Sequence, residues 1–288
     1  MRIIFLGTPE FAVPTLEALA REHEIALVVA QPDKRAGRGL NLQSPAVAIR
    51  ARELGLPLAQ PAKIRALEPV EADMGVVVAY GKILPAELLK IPFLNVHGSI
   101  LPKYRGAAPI QRAIEHGETE TGVTIMRVDE ELDHGPILSV VRTQIGADER
   151  ASELSRRLAK IGAEAMSATL RDLPIETPQD HSKATYAPKI EKSEGEIRWT
   201  DPARTIYDKF RAFDPWPGVF TGDLKLIDIS PGTGRGEPAT ILSINDGVTV
   251  ATGDGAIELR VVQRSGKSRQ RASDFARGAG WRVGVPLK

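Results

Sequence analysis

The residues best suited to act together chemically are an amide, an imidazole and a carboxylate: Asn95, His97 and Asp133. Side chains two residues apart in a strand share a face, so a strand over residues 93–97 would set Asn95 beside His97. Asp133 lies on a glycine-containing loop after a second predicted strand, residues 122–128. An amide can stabilise the oxygen that becomes negative when an amine attacks an acyl carbon. The imidazole can move the proton and the carboxylate can orient the ring. These residue types predict acyl transfer to an amine.

The strings around these residues distinguish this chemistry from ordinary loop capping, which a bare Asn-x-His with a distant Asp would also fit. The run from Asn95 to Pro109 contains Ser-Ile-Leu-Pro and Arg-Gly-Ala-Ala-Pro, and Asp-His-Gly-Pro follows at 133–136. Together they resemble the formyltransferase family that uses 10-formyltetrahydrofolate. Within that family, residues 106–112 and 121–125 are most similar to the members that formylate methionyl-tRNA. The resemblance implies transfer of a formyl group from 10-formyltetrahydrofolate to the free amine of methionyl-initiator tRNA, for translation initiation.

The resemblance also implies roles for individual residues. Asn95 and protonated His97 would stabilise the oxyanion, and Asp133 would support His97. A folate pocket is expected in the crevice beyond the strand ends, formed by Tyr80, Gly81, Ile83, Ser99, Ile100, Leu101 and Pro102. The apolar members of this set are also compatible with packing in the core. Contacts with tRNA are expected from Lys34, Arg35, Arg38, Arg264, Lys267 and Arg269.

Other functions fit the same strings. The formyl acceptor could be a small amine, such as an amino sugar or a ribonucleotide amine, or formyltetrahydrofolate could be hydrolysed. A third hypothesis, from another class, is a non-catalytic RNA-binding protein that keeps the fold. A basic C-terminal end and the loop around Arg38 favour tRNA over a ribonucleotide. The presence of Asn95, His97 and Asp133 favours an enzyme, because a binding protein has no chemical need for them.

A long connection at residues 32–45 carries Lys34, Arg35 and Arg38 among glycines. Long structureless loops in compact domains tend to be functional or disordered. No phosphate-binding G-x-x-x-x-G-K-[ST] string is present, so this is not a P-loop. The connection resembles the insertion with which tRNA formyltransferases engage the acceptor arm. Two lysines often follow the Arg-Gly pair in that family, whereas Leu40 and Asn41 stand there in this chain.

The N-terminal part predicts an α/β fold, because strand, helix and strand follow one another within about 30 residues. We expect a Rossmann-like, mostly parallel sheet with helices on both faces. A dinucleotide site is excluded, because only Gly7 follows the first strand and Asp33 is a lone acid. Strands are predicted at residues 2–6, 24–30, 56–58, 74–79, 93–97, 122–128 and 138–145. Helices are predicted at 12–21, 46–54, 107–115 and 151–173, with two more between 59 and 74 and from Pro85.

The organisation changes after residue 173. Residues 174–200 combine prolines with mixed charge and little apolar periodicity, which is typical of a linker. We therefore expect a catalytic domain at 1–173, a linker at 174–200 and a tRNA-binding domain at 201–288. In the last domain, a helix at 202–213 capped by Asp201 precedes short β runs that suggest a small antiparallel barrel. By resemblance it is of the OB type. The runs lie at 219–221, 224–229, 239–244, 247–251 and 257–262.

The amino-acid composition limits the classes of protein to which this chain can belong. The 288 residues are 42% hydrophobic and 26% charged, with no cysteine, which is typical of a folded protein in a reducing cytoplasm. No apolar run is long enough for a membrane span. We expect a monomer without a metal, since His116 and His134 lack a metal-ligand spacing. The net charge is only +1, but residues 260–288 carry eight basic side chains against Asp274 alone. Such an end fits a polyanion or a solvated tail.

Overall fold

A computed structural model describes residues 1–36 and 41–287. The chain divides into two compact units, and neither is one continuous stretch. The first unit comprises residues 1–109, 120–144 and 153–188; the second comprises 110–119, 145–152 and the chain from 189 onward. The predicted boundaries at 173 and 200 stay predictions. No helix within the described ranges is both long enough and apolar enough to cross a membrane.

The first unit is built on short strands and amphipathic helices. Its strands are β1 (Arg2–Gly7), β2 (Glu24–Val29), β3 (Lys34–Ala36), β4 (Asn41–Gln43), β5 (Leu58–Ala59), β6 (Met74–Val78), β7 (Phe93–His97), β8 (Arg105–Gly106), β9 (Glu120–Arg127), β10 (Ile137–Gln144) and β11 (Tyr186–Ala187). The helices up to residue 188 are α1 (Val13–Glu22), α2 (Ala46–Glu53), α3 (Pro109–Glu115) and α4 (Ala151–Asp172). Single 3-10 turns lie at Glu10–Ala12, Ile64–Ala66, Leu88–Lys90 and His181–Lys183.

The main sheet has seven strands in the order β10-β9-β7-β6-β1-β2-β5. The strands from β7 to β5 pair in parallel, and β9 and β10 add an antiparallel edge. Positions 3 to 6 of β1 are all buried, as expected for a strand covered on both faces. This confirms the predicted mostly parallel sheet. The strand order reverses between β1 and β6, where open α/β sheets bind ligands beyond the carboxyl ends of their strands.

Two predicted helices are wrong. Between residues 59 and 74 only the turn Ile64–Ala66 is helical. Between Pro85 and Pro92 only the turn Leu88–Lys90 is helical. Prolines explain both results, because the residue before a proline disfavours the α region. Pro69 stops the first segment and Pro92 stops the second.

The connection at 32–45, predicted as a structureless loop, instead contains a short antiparallel pair. Strands β3 and β4 are joined with Lys34 opposite Gln43 and Arg35 opposite Leu42. Its base is held by Asp33, whose carboxylate accepts hydrogen bonds from the Ser44 hydroxyl (2.8 Å) and the amide of Gln60 (2.7 Å).

The second unit holds the predicted antiparallel C-terminal sheet, which is confirmed. Its strands are β12 (Val219–Thr221), β13 (Leu224–Gly232), β14 (Ile241–Ile244), β15 (Val248–Ala251), β16 (Ala256–Arg264) and β17 (Gln270–Arg271). They pair in the order β12-β13-β16-β15-β14, and β17 also pairs with β16. Its helices are α5 (Ala203–Ala212), α6 (Ala272–Ala279) and nearly all of α3.

Two details at the helices of this unit differ from expectation. Asp201 does not cap α5: the N-cap is Pro202, with no side-chain hydrogen bond, and Asp201 is 3.3 Å from Arg198 instead. Helix α6 was not predicted, because its eight residues lie within the basic end and include a glycine. Its Ala272 and Ala276 are buried, and it ends at Gly280 in the left-handed conformation.

Candidate active site

Strand β7 places the amide and the imidazole on one face, as the alternation of a strand requires. Asn95 lies opposite Met126 of β9, and His97 lies opposite Thr124, while the intervening Val96 points to the other face. Strand β7 is central, with β6 on its other side, so its side chains are held on both flanks. The imidazole of His97 is only 5% exposed. The site therefore begins on an interior strand of the sheet.

Asp133 reaches these two side chains from the loop between β9 and β10. The Asn95 amide donates to Asp133 Oδ1 at 3.3 Å, and His97 Nδ1 lies 3.6 Å from Asp133 Oδ2. The Asp133 carboxylate also accepts the backbone N–H of Gly106 at 2.8 Å. Its side chain is 10% exposed, so water screens its charge only weakly. The three residues singled out for chemistry are thus brought together.

The second nitrogen of His97 is held by a backbone carbonyl. His97 Nε2 lies 2.9 Å from the carbonyl oxygen of Tyr104. A carbonyl oxygen can only accept, so Nε2 carries the hydrogen and donates it. Proton exchange is therefore restricted to Nδ1, the nitrogen that faces Asp133. The sequence analysis missed Tyr104, because it acts through its main chain.

The loop after β7 is tied together by hydroxyl groups. The Ser99 hydroxyl donates to the carbonyl of Lys103 at 2.6 Å. Thr124 of β9 donates to the Ser99 carbonyl (2.7 Å) and accepts from the Leu101 N–H (3.1 Å). Thr124 was also missed, although a threonine between apolar residues of a predicted strand is a usable sequence signal. In the structure this side chain is fully buried. Of the predicted folate contacts here, Ser99 and Leu101 are buried, whereas Ile100 and Pro102 are partly accessible.

The other predicted wall follows β6. The Tyr80 carbonyl accepts hydrogen bonds from the Thr8 hydroxyl (3.1 Å) and the amide of Gln31 (3.2 Å), at the point where the strand order reverses. The Tyr80 ring is 2% exposed inside an apolar cluster, and this burial raises the pKa of its hydroxyl. Gly81 is exposed with a φ of +81°, a conformation that favours glycine.

Ile83 is 78% exposed and borders an open depression. The depression has a volume of about 360 Å³ and is lined by Ile64, Arg65, Ile83, Leu84, Pro85, Ala86, Leu89 and Glu130. Apolar side chains with a few polar groups and a volume of this size are typical of a small-molecule site. Over residues 1–36 and 41–287, no three His, Asp or Glu side chains are grouped to hold a metal ion.

The predicted tRNA-contacting residues fall in two parts of the chain, residues 34–38 and 264–269. Lys34 and Arg35 are exposed on β3, and Arg38 lies outside the described residues. Lys267 and Arg269 are exposed after β16. Arg264 is 3.0 Å from Asp223 and stacks over the ring of Phe275.

The expectation that Asp274 alone opposes the basic end is wrong. Arg264 is paired with Asp223, and Arg260 lies 3.2 Å from Glu258. Both acids precede residue 260 in the sequence, so a count within the end could not include them. The pairing of β13 with β16 sets Asp223 beside Arg264, and Glu258 lies two residues before Arg260 on β16.

Comparison with known proteins identifies relatives of this chain. Residues 1–170 match the family model of formyl transferase, and residues 189–280 match that of the formyl transferase C-terminal domain. The chain is 47% identical to the methionyl-tRNA formyltransferase of Deinococcus radiodurans, over 96% of this chain and 92% of that protein. It is 45% identical to the methionyl-tRNA formyltransferase of Thermus thermophilus, over 100% and 99%.

Solved structures share the fold at lower identity. An N-formyltransferase from Helicobacter canadensis, in complex with folinic acid and dTDP-3-aminofucose, matches with a TM-score of 0.72 at 18% identity, over 89% of this chain and 98% of that one. WlaRD, a sugar 3N-formyl transferase, matches with a TM-score of 0.71 at 19% identity, over 93% and 99%. Because one family model covers more than half of the sequence and relatives match almost all of it, the chain belongs to the formyl transferase family.

Proposed function

We propose that this protein transfers the formyl group of 10-formyltetrahydrofolate to the free amine of methionyl-initiator tRNA, forming N-formylmethionyl-tRNA. The observation that carries the chemistry is the junction of Asn95, His97 and Asp133, with contacts of 3.3 and 3.6 Å to the shared carboxylate. Support for the acceptor comes from full-length relatives named methionyl-tRNA formyltransferases. The basic residues of β3 and of the C-terminal end support a polyanionic acceptor.

Asn95 is proposed to stabilise the oxygen of the formyl group as it becomes negative. The side-chain amide has two N–H groups, and the contact with Asp133 uses one of them. The second can donate to the oxyanion when the amine attacks the formyl carbon. Since Asp133 fixes the amide plane before reaction, little reorganisation is needed at that moment.

His97 is proposed to move the proton. The attacking amine must lose a proton, and N10 of the folate must gain one as its bond to the formyl carbon breaks. Only Nδ1 can carry that proton, because the Tyr104 carbonyl occupies Nε2–H. Asp133 Oδ2, at 3.6 Å from Nδ1, stabilises the imidazolium that forms between the two transfers.

The folate is proposed to lie along the wall formed by residues 80–86 and the loop 99–102. Exposed Ile83 and partly accessible Ile100 and Pro102 offer apolar surface, and backbone groups beside Gly81 offer hydrogen bonds. The tRNA-binding role of Lys34, Arg35, Arg38, Arg264, Lys267 and Arg269 is part of the same proposal. We also propose that the enzyme works as a monomer in the cytoplasm, without a metal.

The first test is a formyl-transfer assay. Radiolabelled 10-formyltetrahydrofolate would be incubated with the protein and charged initiator tRNA, beside charged elongator tRNA. We expect label on the initiator alone. Absence of label while folate still binds would contradict the proposed acceptor and favour a small amine or hydrolysis. Hydrolysis would release labelled formate in the same incubations, and incubations with an added amino sugar would test the small amine.

A further inference from the structure

A buried glutamine outside the catalytic strings contacts the loop that carries Asp133. Gln179 is 6% exposed and belongs to residues 174–188, which the sequence analysis treated as a linker. Its amide donates to the carbonyl of Asp133 at 3.0 Å and to the carbonyl of Gly135 at 2.7 Å. The two N–H groups of one side chain therefore hold the backbone on both sides of His134.

The carbonyl end of the same amide is held by a buried arginine. Gln179 Oε1 accepts from Arg105 Nε (3.2 Å) and Nη2 (2.6 Å), and Arg105 is 3% exposed. Arg105 also donates to Nδ1 of His181 at 2.9 Å. Both donors and both acceptor positions of the glutamine amide are thus used within the protein.

Arg105 lies in the sequence between Tyr104 and Gly106, whose backbone groups bond to the catalytic side chains. The carbonyl of Tyr104 accepts from His97, and the N–H of Gly106 donates to Asp133. Strand β8, formed by Arg105 and Gly106, pairs with β11 of the same late segment. Gln179 consequently joins the Asp133 loop to Arg105, the residue after Tyr104, whose carbonyl accepts from His97.

The loop needs such support because its backbone is strained. Asp133 has a φ of +50°, a left-handed conformation that costs a non-glycine residue about 1–2 kcal/mol. Gly135 follows closely and adds freedom. A buried amide costs free energy unless its groups are bonded, so Gln179 favours only the loop conformation that meets both N–H groups.

We propose that Gln179, backed by Arg105, is a positioning residue that sets the Asp133 carboxylate against His97 and Asn95. The inference rests on the proposed function, in which Asp133 supports proton transfer. Displacing a catalytic group by about 1 Å can cost about 100-fold in rate. Loss of the two hydrogen bonds should therefore lower the rate of the chemical step more than it weakens substrate binding.

The test uses Gln179→Glu, which separates the two ends of the side chain. The carboxylate keeps an acceptor for Arg105, but it sets oxygen in place of the two N–H groups that face the carbonyls of Asp133 and Gly135. We expect kcat for formyl transfer to fall about 10- to 100-fold, with KM for tRNA and for folate within about twofold. The matched control is Asp180→Ala, which removes a bonded side chain from the same segment without touching Asp133. It should keep the wild-type kcat.

A double-mutant cycle tests whether Gln179→Glu lowers kcat through Asp133. In an Asp133→Asn background, Gln179→Glu should change kcat by less than about twofold, because the group it positions is already altered. Equal losses in both backgrounds would show general disruption and overturn the proposal. So would a wild-type kcat in Gln179→Glu alone.

A readout independent of activity keeps this inference separable from the proposed function. Amide hydrogen exchange of residues 129–136 should rise about 10-fold or more in Gln179→Glu and stay unchanged in Asp180→Ala. If wild-type protein fails to transfer formyl to tRNA, the proposed function fails, and the exchange result still decides whether Gln179 holds the loop. Unchanged exchange at 129–136 would overturn the inference.

Discussion

At the scale of single residues, hydrogen bonds within the protein determine which atoms of the site can serve a substrate. Tyr104 occupies Nε2 of His97, Gly106 occupies one oxygen of Asp133, and Asn95 contacts the other oxygen. These contacts leave Nδ1 and one amide N–H as the groups free to serve a substrate. The proposed reaction needs one proton carrier and one oxyanion donor, and this arrangement supplies one of each.

The first residue-scale prediction concerns the amide of Asn95. Asn95→Asp removes the oxyanion donor and sets a second carboxylate about where the amide contacts Asp133 at 3.3 Å. We expect kcat to fall about 100- to 1,000-fold with small changes in both KM values, because the lost interaction forms only as charge develops. Radiolabelled formyl transfer under saturating substrates measures this.

Its control is the same chemical change at an exposed position of the second unit. Asn245→Asp alters a turn between β14 and β15, where the backbone N–H of Asn245 donates to the carbonyl of Gly247. That variant should transfer formyl at the wild-type rate. A rate for Asn95→Asp within a few fold of the control would remove Asn95 from the mechanism.

At the scale of elements, helix α5 attaches residues 145–152 to the second unit. Arg211, 1% exposed, donates to the carbonyls of Gly146 and Glu149, both at 3.1 Å, and to Asp208 at 2.5 Å. One turn earlier, the Tyr207 hydroxyl donates to Asp148 at 2.8 Å. Successive turns of one helix therefore hold a segment that lies about 60 residues earlier in the chain.

The element-scale prediction uses the pH dependence of Tyr207. Burial, and then its hydrogen bond to Asp148, raise the pKa of Tyr207 from 10.0 to about 12. From pH 10 to 12 the unfolded chain has lost the phenolic proton that the folded chain keeps, so stability falls as pH rises through this window. The two-unit difference corresponds to about 2–3 kcal/mol.

Tyr207→Phe removes this titration together with the hydrogen bond. At pH 7 we expect the variant to be less stable by about 0.5–1.5 kcal/mol. Its deficit should vanish and then reverse between pH 10 and 12, because only the wild type loses stability from this group. Urea unfolding of both proteins from pH 7 to 12 measures the difference, and a constant deficit across the window would contradict the assignment.

At the scale of the whole molecule, basic and acidic side chains nearly balance one another. A net charge of +1 predicts no general attraction to a polyanion. Ion pairs reduce the basic end further, since Arg260 and Arg264 lie beside Glu258 and Asp223. Lys267 and Arg269 are exposed in the same end, so we expect them to contribute to the electrostatic part of tRNA binding.

The corresponding prediction concerns salt dependence. The double variant Lys267→Ala/Arg269→Ala should raise KM for initiator tRNA at low salt and lower the slope of log KM against log salt by about one per lost phosphate contact. KM for 10-formyltetrahydrofolate should stay unchanged. Arg21→Ala, which removes a 72% exposed cation on α1, is the control and should leave the slope intact. A slope unchanged in the double variant would exclude these residues from the interface.

Local pattern was sufficient for much of the fold. Apolar runs such as residues 2–6 and 74–78 predict buried strands because hydrophobic burial acts on each strand through its own side chains. The alternation of Asn95 and His97 on one face follows from strand geometry alone. The two predicted helices failed where Pro69 and Pro92 stop the helical segments, and α6 was missed because its burial depends on contacts with the sheet.

The sequence by itself determined which groups are available for chemistry, their order along the chain and the family to which they belong. Only the tertiary structure decided which atom of each group is free. The Tyr104 carbonyl and the Gly106 N–H are backbone groups that every residue possesses, and the Gln179 side chain donates to the backbone carbonyls of Asp133 and Gly135. Such contacts leave no mark in residue type, so only the three-dimensional arrangement reveals them.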